Sequence, residues 1–128
     1  MKNKKIFREV FKFRGFRKSF IYALQGLWYL FFYHRNMRII FLFGIAAIIL
    51  GFVMKLKGVE LVALSITITF VFMAEMFNTA IELLVDLFTE KYHPLLKIIL
   101  DISAAVVLIA SINAIAVGYV LFARKLFR

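Results

Sequence analysis

Three long apolar stretches, bordered by basic residues at most of their ends, dominate this chain. Residues 39–54 carry no charge and lie between Arg35/Arg38 and Lys55/Lys57. Residues 61–88 are long enough to cross a bilayer and protrude, with Glu75, Glu82 and Asp86 interrupting their second half. A third run, 98–123, has Asp101 near its start. A spanning helix needs about 20 mostly apolar residues; the first run is short of that, and flanking Arg and Lys extend it by snorkelling. The pattern predicts transmembrane helices over about 35–55, 60–88 and 97–123, with a turn at 89–97 marked by Pro94. Ahead of them Ile6, Phe7, Val10, Phe11, Phe20, Leu24 and Leu27 recur at helical spacing between charges. That is the pattern of an amphipathic helix in the headgroup plane. The expected fold is all-α integral membrane. It is a single membrane domain over 1–128, with a basic surface segment at 1–34 and three transmembrane helices.

Composition makes lipid the solvent. The 128 residues are 64% hydrophobic, 16 of them Phe, with mean hydropathy +0.92. Soluble domains are about 45–50% apolar, and a chain this short cannot hide the surplus in one core, which excludes a water-soluble enzyme. The formal net charge of +10 would suggest nucleic acid in a soluble protein. In an apolar chain it points to an anionic lipid bilayer, at about 1 kcal/mol per basic residue near the surface, and no nucleic-acid partner is expected. Cysteine is absent, so disulfides and thiolate metal sites are excluded. No small-residue cleavage motif follows a suitable apolar run, so no cleavable signal peptide is expected. Ten basic residues up to Arg38, against two in the loop after the first span, place the N-terminus in the cytoplasm. The 55–60 loop then lies outside and the 89–97 turn inside. The C-terminal ARKLFR falls outside, against the charge rule.

Five of the seven acidic residues lie between Glu75 and Asp101. Glu75, Asn78, Glu82 and Asp86 share one helix face, and Asp101 starts the next span at a similar depth. An ionisable group within a span costs at least about 2.5–3.5 kcal/mol, and nothing structural needs three carboxylates and an amide on one stripe. Such a stripe can hold Mg²⁺ through hard oxygen ligands or supply a general base to a hydroxyl presented from the bilayer. The plainer reading pairs Glu82 and Asp86 with Lys or Arg at headgroup level, and is weaker for the deeper Glu75 and Asn78. His34 and His93 are isolated and read as interfacial residues. Trp28, Tyr29, Tyr33 and Tyr92 fit an aromatic belt. Asn113 is placed for an interhelical hydrogen bond. Arg14, Arg17 and Lys18 suit nucleotide phosphates and lipid phosphates equally.

The run from Glu75 to Asp86, EMFNTAIELLVD, resembles the E-x-x-N-[ST]-A-I-E-x-x-V-D signature of the prokaryotic diacylglycerol kinase and undecaprenol kinase family. SFIYALQGL, RNMRI at 35–39, Tyr92-His93 and DISAAVVLI extend the resemblance over about residues 14–123. It implies a small lipid kinase of the bacterial cytoplasmic (inner) membrane. Such a protein is a homotrimer of three-span protomers with sites between neighbours. It transfers the γ-phosphoryl of ATP, with Mg²⁺, to a membrane lipid alcohol at the cytoplasmic face. The chain contains neither a P-loop nor a kinase glycine-rich loop, and the family does without both. By resemblance Glu75 is the general base and Asn78 the amide that positions phosphate and substrate. Glu82 is the Mg²⁺ ligand, and Asp86 and Asp101 belong to the nucleotide region. RNMRI and SFIYALQGL look more like the undecaprenol branch than the diacylglycerol branch.

The chain also departs from the family pattern. Leu100 stands at the phosphate-facing lysine and Ala105 at a small glycine. His34 replaces the glutamate of an E-R-N run, and Trp28 replaces the related glutamate about six residues upstream. No acid occurs between Glu9 and Glu60, so the second metal carboxylate is unknown, with Glu9, Asp86 and Asp101 as candidates. Lys97, one turn before Leu100 on the same face, is a candidate phosphate ligand, as is Arg17. Two other readings compete with the kinase. One is a weak or inactive homologue acting as a scaffold. The other is a small proton-coupled transporter using Glu75, for which residues 61–74 offer only Ser65, Thr67 and Thr69 as a polar path.

Overall fold

A computed structural model describes residues 15–88 and 93–127 of the chain, all helices and short connections. The chain divides into two units, Met1–Tyr33 and His34–Arg128. In the first, helix α1 spans Phe16–Tyr33 and buries none of its residues. It starts at Gly15, whose carbonyl accepts the N–H groups of Lys18 and Ser19. Aromatic rings stack one turn apart along it, Trp28 on Phe32 at 4.6 Å and Tyr29 on Tyr33 at 4.9 Å. Phe20, Leu24 and Leu27 fall on this helix as their spacing predicts. Ile6, Phe7, Glu9, Val10, Phe11 and Arg14 lie outside the described residues.

The second unit holds α2 (Arg35–Val53), α3 (Val59–Phe88) and α4 (Pro94–Gly118). One π-helical turn, Tyr119–Ala123, and a short α5, Arg124–Leu126, continue the third span. Among the described residues three helices are thus long and apolar enough to cross a membrane, and less than a quarter of each apolar stretch is buried within the chain. The long central helix α3, about 45 Å at 1.5 Å per residue, packs against both α2 and α4.

Small residues set the α2–α3 approach, as they do between membrane helices, where close backbone packing replaces the hydrophobic effect. A Cβ at Gly44 would come within 3.0 Å of Ile68 Cγ2, and one at Gly51 within 3.0 Å of Leu64 Cδ2. The turn between these helices is a Schellman motif. Lys55 adopts φ 58°, its N–H bonds Phe52 O, and the Leu56 N–H bonds Gly51 O at 2.9 Å. Leu56 then folds its side chain under the turn, 2% exposed. Glu60 reaches back to the Lys57 N–H at 3.3 Å, half of a capping box for α3. Lys125 closes this end from the other terminus, donating to Lys55 O at 2.7 Å and pairing with Glu60 at 3.2 Å. One of the C-terminal basic residues that sit awkwardly with the charge rule therefore has a structural partner.

At the opposite end Pro94 opens a helix, three residues ahead of the start expected at 97. His93 caps it, Nδ1 accepting the Leu95 N–H at 3.1 Å. Proline suits the first helical position because its missing N–H would have no partner there. Helical winding also continues past 123, to Leu126.

Candidate functional site

Among the described residues the buried polar ones are Thr67, Glu75, Asn78, Thr79 and Ser103, as many as the buried apolar side chains. That inverts the arrangement of a soluble core and suits a chain whose outside is lipid, where polar groups turn toward the helix interfaces. Thr67 is satisfied within α3 by Ala63 O at 2.7 Å. Glu75, Asn78 and Ser103 belong to the stripe on α3 and to the facing turn of α4.

Residues 75, 78, 82 and 86 follow one another down α3 over about 16 Å of axis. Glu75 is 6% exposed and makes no hydrogen bond or ion pair among the described residues. No buried side-chain oxygen lacks a partner among those residues, so its carboxylate oxygens must open onto the surface. Asn78, 9% exposed, donates from Nδ2 to Glu82 Oε1 at 3.1 Å. Its Oδ1 accepts from Ser103 Oγ on α4 at 2.9 Å. Glu82 and Asp86 are exposed. The Asn78–Ser103 contact sets the register of α3 against α4 and brings the start of α4 level with the middle of the stripe.

Asp101 pairs with Lys97 one turn before it, both more than half exposed. An exposed i,i+4 pair is worth only about 0.3–0.5 kcal/mol. Leu100 is half-buried, and its carbonyl accepts from Ser103 Oγ at 2.9 Å. Arg17 stands exposed in the first turn of α1. Trp28 is 67% exposed on the same helix, and His34 is the N-cap of α2. Among the described residues no three of His, Cys, Asp or Glu converge to hold a metal. Mg²⁺ commonly keeps waters and takes one or two carboxylates plus substrate phosphates. Glu82, accessible and oriented through Oε1, fits that lesser demand.

The sequence reading assigns Ser103 no role. Its signal was a hydroxyl among apolar residues on α4, a feature it shares with Ser111, and only the packing of α4 on α3 brings it to Asn78.

These features define a small helical membrane protein with three carboxylates, one of them paired with an amide, gathered along one face of a single helix. The chain belongs to the prokaryotic diacylglycerol kinase family, whose model matches residues 21–122. It is 35% identical to the undecaprenol kinase of Bacillus subtilis over 87% of this chain and 90% of that protein. It is 40% identical to a diacylglycerol kinase of Synechocystis sp. over 78% of this chain. The matched region covers 58% of that second relative's length. Both relatives are named as lipid kinases.

Proposed function

We propose that this chain transfers the γ-phosphoryl group of ATP to the hydroxyl of a membrane lipid. The reaction takes place at the cytoplasmic face of the bacterial inner membrane, and undecaprenol is favoured over diacylglycerol. The observation that carries the reading is Glu75, a largely buried residue whose carboxylate opens to the surface with no partner among the described residues, one turn from the Asn78–Glu82 pair, in a chain of this family.

Glu75 takes the proton of the lipid hydroxyl as that oxygen bonds to the γ-phosphorus. The bond from the γ-phosphorus to the β,γ-bridging oxygen breaks, and ADP leaves. Glu82 would hold Mg²⁺ together with the nucleotide phosphates, and the ion supplies neutralisation of phosphate charge. Asn78 fixes one oxygen of Glu82, and Lys97, Asp101 and Asp86 complete the nucleotide side. Phosphoryl transfer asks mainly for positioning and charge compensation, which a few side chains on rigid helices can supply. Glu82, Asp86 and Asp101 are exposed on the single chain, which supports a homotrimer in which a neighbouring copy covers them.

Purified protein with γ-labelled ATP, Mg²⁺ and separate undecaprenol and diacylglycerol substrates tests this directly. Label should pass to undecaprenol faster than to diacylglycerol, and Glu75→Gln should abolish transfer. Assembled protein that labels no lipid would overturn the reading. It would favour the second one, a scaffold homologue, which the lack of converging metal ligands among the described residues and Leu100 support.

A further inference from the structure

Ser103 is 3% exposed on α4, and its hydroxyl has one proton to give. Two acceptors lie at 2.9 Å, Asn78 Oδ1 and the carbonyl of Leu100. The choice is made at the far end of the chain of bonds. An ionised carboxylate can only accept, so Glu82 Oε1, at 3.1 Å, draws the NH₂ of Asn78 toward itself. The amide oxygen must then face Ser103, and a hydroxyl facing a carbonyl oxygen is held there only by donating to it. The direction of donation is therefore settled from Ser103 through Asn78 to Glu82. Without the hydroxyl, the carboxamide is gripped at one end only, and its buried oxygen has no donor.

We propose that Ser103 is a positioning residue for the nucleotide side of the site. It locks the Asn78 carboxamide from the α4 side and, through it, the orientation of the Glu82 carboxylate. This rests on the lipid-kinase reading above and on Glu82 as the anchor of the metal–nucleotide complex. It adds a residue that touches neither substrate and acts entirely through Asn78. It also makes α4 part of the site's geometry, although Leu100 leaves that helix without the phosphate-facing lysine.

The test uses the full chain in lipid nanodiscs and the non-hydrolysable analogue AMP-PCP with Mg²⁺, its binding followed by calorimetry. Ser103→Ala should weaken analogue binding by about tenfold, as loss of a group that orients a metal ligand does. The KM for MgATP should rise in parallel while the KM for the lipid alcohol stays within about twofold, a split that general loosening of the bundle would not give. In an Asn78→Leu background, Ser103→Ala should have no further effect on analogue binding, because its route to Glu82 is gone. If the wild-type chain binds the analogue and Ser103→Ala binds it equally well, the Ser103 proposal fails and the kinase reading stands. Additive losses in the double variant would likewise overturn it. A wild-type chain that neither binds the analogue nor labels lipid would overturn the kinase reading and this proposal with it.

Discussion

Replacing Asn78 by leucine separates what the amide does for the fold from what it does for the chemistry. The substitution keeps side-chain volume and removes two hydrogen bonds, to Glu82 at 3.1 Å and from Ser103 at 2.9 Å. Side-chain hydrogen bonds between membrane helices average about 0.6 kcal/mol, so the direct loss is about 1 kcal/mol. Neither partner is stranded. Ser103 still has Leu100 O at 2.9 Å, and Glu82 is exposed. Leucine at a 9%-exposed position gains apolar burial of similar size, about 1.5–3 kcal/mol at most. The net change in stability should therefore stay within about 1–2 kcal/mol, a shift in Tm of only several degrees. Activity has no such compensation. Losing one donor that orients charge in a transition state costs about 10²–10³ in rate. Thermal unfolding and labelled-lipid turnover, measured on the same Asn78→Leu preparation, check both halves. A variant within threefold of wild-type turnover would refute the role given to the amide. One whose Tm collapsed would refute the argument that both partners find substitutes.

Other consequences are simpler to state. Leu100→Lys places an ammonium beside Asp101 on a half-buried turn of α4; the stem can snorkel to the headgroup level, and MgATP affinity should rise about tenfold, read from KM. Gly51→Leu drives a side chain into Leu64 and Leu56, where a Cβ alone meets atoms at 3.0 and 3.3 Å. Overpacking of this kind should destabilise by about 1–3 kcal/mol in thermal unfolding, or more if α2 separates from α3. Lys55→Gly relieves a left-handed residue at φ 58° while keeping the carbonyl that Lys125 bonds. It should raise stability by about 1 kcal/mol in the same measurement, without changing turnover.

Much of the architecture was legible in one dimension because a bilayer imposes a length and a polarity on each helix. The runs at 39–54, 61–88 and 98–123 could satisfy their backbone groups in lipid only as helices, and α2, α3 and α4 follow them closely. The misread stretch is instructive. Pro94 marked the turn expected at 89–97, yet the residue that stops one helix is equally suited to begin the next, and His93 supplies the cap. The stripe on α3 was legible for a similar reason, since residues spaced by three and four must share a face whatever packs there.

Which of those polar residues are sealed, which stay open and what orients them could not be read from spacing. Glu75 and Glu82 differ by seven positions and share a face, but one is buried and the other exposed, because α3 is covered differently along its length. The pairing of Asn78 with Ser103, 25 residues apart, depends on the register in which α4 returns along α3. That register is set by side chains packing between two helices, and sequence periodicity describes only one helix at a time. The sequence by itself determined that this chain has three helices suited to lipid and a polar stripe on one face of the longest. Only the packing of the helices decided that Glu75 has no partner among the described residues and that a serine on α4 bonds the amide one turn away.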